Sequence, residues 1–180
     1  MRKSLSSWLL IGGTLRRLML SAAAFTAYAT GAAAATDAAL EAIAGPFAGS
    51  WQCSGHFANG KLITSSESFV RALNGHWLIE DHRDNPPFNY SAHALWGWSE
   101  ELHSFTLTIY DNFGGQRLFV SPGWQQAVLT FEERPLLGPP VRQERFLYRT
   151  APGGYSVEYQ VQDKTAGWKM GDVVTCGRHG

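Results

Sequence analysis

Hydrophobic and polar residues alternate with a period of two over most of the chain after Pro46. In the segment 105–110, Phe, Leu and Ile alternate with Thr, Thr and Tyr, and the segment 155–162 alternates in the same way. This period is typical of strands with one buried face and one wet face, and turn residues separate the segments at short intervals. The pattern predicts ten strands: Ser50–Phe57, Leu62–Leu73, His76–Asp84, Tyr90–Ser99, His103–Asp111, Gln116–Ser121, Trp124–Glu132, Val141–Thr150, Tyr155–Gln162 and Trp168–Cys176.

One helix precedes the strands, at Thr36–Ala44, where Asp37 is a suitable cap and Gly45-Pro46 ends the helical pattern. The short connections between neighbouring strands predict an antiparallel meander. A twisted meander of ten strands closes more readily than it leaves two edges exposed. We therefore expect an all-β fold, a closed barrel with a short N-terminal helix. The longer connections 85–88 and 134–140 are the predicted portal loops.

The segment before the helix has the features of a secretory signal. Residues 1–35 contain four basic residues and no acidic one, and an alanine-rich apolar run extends from Leu18 to Ala35. Polar residues interrupt this run, which makes it marginal for a membrane span of about 20 apolar residues. We expect cleavage before Thr36, a mature domain over residues 36–180 without a membrane span, and a periplasmic or secreted location.

The composition of this domain excludes some classes of binding partner. Without residues 1–35 the chain has 11 basic and 15 acidic residues, a net charge of −4. Such a charge gives no electrostatic footprint for nucleic acid or anionic lipid. Twenty aromatic residues remain, so aromatic side chains must line a core or a cavity. We expect a small-molecule partner and no nucleic acid.

Two cysteines, Cys53 and Cys176, lie near the two ends of the predicted domain. Disulfides persist outside the cytoplasm, and closure of the barrel would place the first strand beside the last. We therefore expect the two cysteines to be bonded. Two separately buried thiols are the alternative.

The segment Gly49-Ser50-Trp51, after a short helix, resembles the G-x-W opening of lipocalins and the wider calycin group. Arg178, beyond the last strand, matches the lipocalin arginine that packs across this tryptophan. Further motifs in the same order resemble an uncharacterised bacterial family of exported lipocalin-like proteins: Cys53-x-Gly55, Asn74-Gly75-x-Trp77, Trp96-Gly97-Trp98 and Tyr110-Asp111.

This resemblance implies a calycin-like barrel with a cavity but no single chemistry. Its relatives include carriers of fatty acids, retinoids and haem, and a few isomerases and cyclases. A similar haem barrel, of the nitrobindin type, binds iron through a histidine near the chain end. The last predicted strand has no histidine, and His179 lies beyond it, so we expect no haem. We also expect no other cofactor and no resident metal.

Candidate catalytic residues form a cluster on the third and fourth strands: His76, Glu80, His82 and His93. Alternation puts the first three on one face, where two imidazoles and a carboxylate suit either a metal triad or an acid–base pair. The alternative is that this face is solvated, because Trp77 and Ile79 on the opposite face are natural core residues.

Candidate ligand-binding residues are charged or aromatic. Inward-pointing charges are expected at Glu67, Arg71, Asp81, Arg83 and Arg145, and the arginines among them suit a carboxylate head group. Surface ion pairing is the alternative. An apolar ligand would contact Tyr90, Trp96, Trp98, Phe105, Trp124 and Phe131, unless these rings only fill the core.

These observations predict an exported barrel that binds a small, largely apolar or amphipathic molecule. An anionic head group would be met by Arg71, Arg83 or Arg145. The alternative is an enzyme of isomerase, cyclase or lyase type that uses histidine and carboxylate groups in the lumen. A third possibility is a structural domain with a filled core. No nucleophile elbow, phosphate loop or zinc-protease motif occurs in the sequence, so the choice between binding protein and enzyme stays open.

Overall fold

The structure, a computed structural model, describes residues 38–136, 138 and 142–178. The predicted signal, residues 1–35, and His179 lie outside the described residues. Residues 38–44 form an α-helix (α1), and a 3₁₀ turn follows at Gly45–Phe47. In the described part of the chain, no helix is long and apolar enough to cross a membrane. Eleven strands follow: β1 (Gly49–Phe57), β2 (Leu62–Ala72), β3 (Trp77–Asp84), β4 (Ser91–Ser99), β5 (Ser104–Asp111), β6 (Gln116–Ser121), β7 (Trp124–Gln125), β8 (Val128–Glu133), β9 (Glu144–Ala151), β10 (Gly154–Asp163) and β11 (Gly167–Gly177).

The strands form one antiparallel sheet in which all sequence neighbours pair except β6 and β7. Strand β1 also pairs with β11, and β6 pairs with β8, so that ten strands close a ring to which the two-residue β7 is attached. The expected all-β fold, a closed ten-stranded barrel with a short helix, is confirmed.

Two of the predicted strands differ from those observed by more than one residue at an end. The predicted strand Trp124–Glu132 is divided into β7 and β8, because Gln126 and Ala127 adopt left-handed backbone conformations with φ of 49° and 69°. The predicted strand from Val141 starts instead at Glu144. Val141 itself lies outside the described residues.

The seam between β1 and β11 holds the disulfide. Cys53 lies directly opposite Cys176 in this pair of strands, and the two are bonded, which confirms the expected bridge. Gly55 on the same strand allows close approach, since a Cβ atom there would lie 1.8 Å from the carbonyl oxygen of Val173. The first and last strands are therefore joined by hydrogen bonds and by one covalent bond.

Helix α1 and the 3₁₀ turn close one end of the barrel. Leu40, Ile43 and Phe47 belong to the buried core, and the ring of Phe47 contacts Phe69, Trp96, Trp124, Tyr148 and Tyr155. The indole of Trp51 donates a hydrogen bond of 2.6 Å to the carbonyl of Phe47. Arg178 lies 4.6 Å above the Trp51 ring, which is the contact that the G-x-W resemblance implied.

We predict that removing the disulfide destabilises the fold, because the bond links residues 123 positions apart and limits the unfolded chain. The double variant Cys53→Ala/Cys176→Ala should lose about 2–4 kcal/mol of unfolding free energy in urea titrations. A reductant should destabilise the wild type and leave the variant unchanged. Equal stability of the two proteins, with both thiols alkylated in the native wild type, would contradict the prediction.

Candidate ligand-binding cavity

A cavity of about 420 Å³ occupies the half of the barrel away from helix α1. It exists because β4 contributes two small inward side chains, Ala92 and Ala94, and only then the large Trp96, which belongs to the core beneath. Phe88 and Phe113, in the β3–β4 and β5–β6 connections, border it. Phe113 is 69% exposed, so the cavity reaches the surface at this end. The predicted portal loop 85–88 therefore lies at its mouth, whereas the second, 134–140, is described only in part.

The inward face of β3 is the one that carries Glu80 and His82. Glu80 is 8% exposed and both residues line the cavity, whereas Ile79 is 37% exposed. The alternative, in which Trp77 and Ile79 form the core face of this strand, is therefore wrong. The physical reason is the register with β2, which places Glu67 opposite His82 and lets these polar groups pair inside the barrel.

His82 is held between two carboxylates. Its Nδ1 lies 3.2 Å from Oε1 of Glu67 and its Nε2 lies 3.0 Å from Oδ1 of Asp84. Burial by itself lowers the pKa of His82. The hydrogen bonds to Asp84 and Glu67, with the charges of Glu67 and Glu80, outweigh burial and raise the pKa to about 10. The side chain is therefore an imidazolium at neutral pH.

The two glutamates beneath His82 each accept a hydrogen bond from an aromatic side chain. The indole of Trp96 donates to Oε2 of Glu80 at 2.7 Å, and the hydroxyl of Tyr155 donates to Oε2 of Glu67. Burial and the neighbouring charge of Glu67 raise the pKa of Glu80 to about 7, although His82 and Trp96 oppose the shift. The cavity floor therefore holds a carboxyl group that titrates near neutrality.

Arg117, on the inward face of β6, carries the second positive charge of the cavity lining. Its guanidinium donates to Oε2 of Glu144 at 3.0 Å and to the hydroxyl of Tyr90 at 2.9 Å. A longer contact of 3.4 Å reaches Asp111. Arg117 is thus neutralised by its own partners.

On the opposite wall, burial and the nearby Asp84 raise the pKa of Asp172 to about 6.

Most of the charged residues predicted from sequence lie elsewhere. Arg71 pairs with Glu41 of helix α1 and donates to the carbonyl of Gly75 at the closed end. The expectation that Asp81, Arg83 and Arg145 point inward is wrong, because alternation puts them on the outer face. There Arg83 pairs with Asp81, and Arg145 stacks on Trp168.

The remaining predicted histidines are not among the cavity-lining residues. His93 is on the outer face of β4, 3.4 Å from Asp81. His76 lies in the turn between β2 and β3. Of the four candidate catalytic residues, the structure brings only Glu80 and His82 together.

The predicted aromatic residues divide between cavity and core. Tyr90 lines the cavity. Trp96 and Phe131 pack against each other in the core beneath it, and Trp98 contacts Phe105 at the closed end. Trp124 stacks on Phe47. The cavity is lined instead by aromatic residues that the sequence analysis did not select: Phe57, Phe88, Phe113, Phe146, Tyr148 and Tyr159.

Further polar residues of the cavity were not predicted from the sequence: Ser65, Asp84, Asn89, Arg117 and Asp172. Alternation is the signal that finds three of them. Arg117 shares its face with the buried Phe119, and Ser65 shares its face with Ile63 and Phe69. Asp172 shares its face of β11 with the buried Val174 and Cys176.

Three side chains of the cavity floor have the composition of a metal-binding group. One potential ligand atom from each of Glu67, Glu80 and His82 lies within 4.8 Å of the other two. Cys53 and Cys176 also lie near Glu67, but their sulfurs are joined in the disulfide. Comparison with known protein families and with curated protein sequences finds no family model and no sequence that matches this chain.

We predict that His82 makes stability depend on pH. Its pKa is raised from 6.5 to about 10 on folding, so its contribution is complete below pH 6.5 and is lost as the pH rises through 10. In EDTA, the stability difference between wild type and His82→Gln should shrink by several kcal/mol over this range, since one pKa unit is worth about 1.4 kcal/mol.

Urea titrations of both proteins across this range measure the effect. The matched control is His93→Gln, on the outer face of the adjacent strand, which should follow the wild-type pH dependence. A pH-independent difference between wild type and His82→Gln would contradict the assignment.

Proposed function

We propose that this protein binds a small, largely apolar molecule inside its barrel. The observation that supports the proposal is the cavity of about 420 Å³, which lies within the range of small-molecule sites. Aromatic and aliphatic side chains form most of its wall, and a polar cluster occupies its floor. A structural domain with a filled core would have no need of such a space.

The charges of the cavity favour a ligand with a hydrogen-bond donor or a positive charge. Four carboxyl groups line it, those of Glu67, Glu80, Asp84 and Asp172, against the imidazole of His82 and the guanidinium of Arg117. Both positive groups already contact carboxylates. The anionic head group considered from the sequence would therefore find no unpaired cation among the described lining residues. We propose an amphipathic ligand whose polar end is a donor.

We also propose that the protein acts outside the cytoplasm. The disulfide between Cys53 and Cys176 supports this location, since such bonds are stable in the periplasm and in secreted proteins. The signal-like composition of residues 1–35 supports export as well.

Native mass spectrometry of protein from a periplasmic extract would show whether a ligand accompanies it.

A large side chain inside the cavity should weaken the binding of a small apolar molecule. Ala94→Phe places a ring in the cavity from β4, so we expect its affinity for the neutral fluorescent probe N-phenyl-1-naphthylamine to fall about 10-fold or more. The matched control is His93→Phe, which adds the same ring to the outer face of β4 and should bind like the wild type. Equal affinity of all three proteins would place the probe elsewhere and overturn the proposal.

The head group is tested by competition. Because four carboxyl groups line the cavity, dodecylamine should displace the probe at a concentration at least about 10-fold lower than dodecanoate does. The double variant Asp84→Asn/Asp172→Asn removes two of these carboxyl groups, so it should reduce the advantage of the amine over the carboxylate. Stronger displacement by the carboxylate would contradict a donor-bearing ligand while leaving the binding function intact.

An acid–base enzyme is the second candidate. The observation that favours it is the position of His82, an imidazolium that two carboxylates orient within the cavity and that is therefore a candidate general acid. Once a ligand is identified, its turnover should be lost in His82→Gln while binding is retained. Unchanged turnover in this variant would exclude His82 from catalysis.

A further inference from the structure

Two neighbouring strands present three potential metal ligands at the floor of the cavity. Glu67 projects from β2, and Glu80 and His82 project from β3 on the same inward face. One ligand atom from each lies within 4.8 Å of the other two. We propose that Glu67, Glu80 and His82 bind one divalent transition-metal ion.

Each of the three ligands is oriented by a second partner that leaves one coordinating atom for the metal. Asp84 contacts Nε2 of His82 and so directs Nδ1 toward Glu67. Tyr155 and Trp96 each hold the Oε2 atom of a glutamate, Glu67 and Glu80 respectively, so that the two Oε1 atoms are the ones available. Carboxylates and ring donors around the ligands are the usual outer shell of metal sites in proteins.

The hydrogen bond between His82 and Glu67 is compatible with metal binding by both residues. Without a metal, the proton on Nδ1 of His82 lies between the ring and Oε1 of Glu67. A metal ion would replace this proton, because a coordinating imidazole must be neutral. The charge of a divalent ion would then balance the two glutamates, which otherwise repel each other in a buried position.

Ser65 gives an independent indication that the floor of the cavity accommodates a polar ligand. Its side chain is fully buried, lines the cavity and lies two residues before Glu67 on the same face of β2. Its Oγ has no hydrogen-bond partner within the described structure. A buried hydroxyl without a partner costs about 1–3 kcal/mol. A water molecule bound to the metal would supply the missing partner.

The ligand set indicates which metals fit. One imidazole nitrogen with two carboxylate oxygens suits Zn²⁺, Fe²⁺, Mn²⁺ or Co²⁺ better than Ca²⁺ or Mg²⁺, which prefer oxygen ligands throughout. Three protein ligands also leave coordination positions for water or for a bound molecule. The site would therefore add a Lewis acid to the floor of a cavity whose walls are apolar.

The proposal is tested with the metals alone. We expect the EDTA-treated, dialysed protein to bind one equivalent of Zn²⁺ or Mn²⁺ in isothermal titration calorimetry, with a dissociation constant of about 10 µM or lower. Co²⁺ should give visible absorption bands from the same site. His82→Gln and Glu80→Gln should each weaken binding by more than about 10-fold, since loss even of outer partners weakens metal sites by 10- to 100-fold.

The matched control is His93→Gln, which removes the histidine–carboxylate pair of the outer surface and should bind like the wild type. Asp84→Asn retains all three ligands, so it should weaken binding by about 10- to 100-fold through the orientation of His82. Circular dichroism and thermal unfolding show whether each variant folds. Absence of stoichiometric binding by the wild type, or metal binding lost in His93→Gln but kept in His82→Gln, would overturn the proposal.

Discussion

Closure of the sheet between β1 and β11 is the constraint on which the rest of the structure depends. Ten strands can exclude water from an interior only if the ring has no gap, and this last pair is joined by backbone hydrogen bonds and the disulfide of Cys53 with Cys176. The raised pKa values of Glu80 and Asp172 follow from closure, because burial is the largest cause of both shifts and has its effect only where water is absent. The acidity of the groups in the lumen thus depends on closure of all ten strands.

Inside this ring, charge is balanced locally. His82 compensates Glu67 and Asp84 near the floor, and Arg117 compensates Glu144 and Asp111 near the mouth. Buried charges are tolerated in proteins when they are paired in this way. Between the two groups, the cavity wall is mainly aromatic and aliphatic. A molecule bound there would meet polar groups at its two ends and an apolar surface along its length.

The sequence predicted the barrel well because its signals are local. Alternation, turn residues and the position of two cysteines each report on neighbouring residues or on the chain ends, and all agree. Predicting the site was harder, because the inside of β3 depends on its register with β2. By composition, Trp77 and Ile79 were the natural core residues. The structure buries Glu80 and His82 instead, because Glu67, Trp96 and Asp84 supply their partners from other positions.

Trp96 combines two roles, as Tyr155 does beside Glu67. Its ring belongs to the packed core that ends the cavity, and its indole nitrogen donates to Glu80. Any substitution that deepens the cavity at this position also removes the donor from the carboxylate above it. Evolution or engineering toward a longer ligand at Trp96 would therefore alter the acidity of the site at the same time. A substitution of Trp96 therefore changes the depth of the cavity and the acidity of Glu80 together.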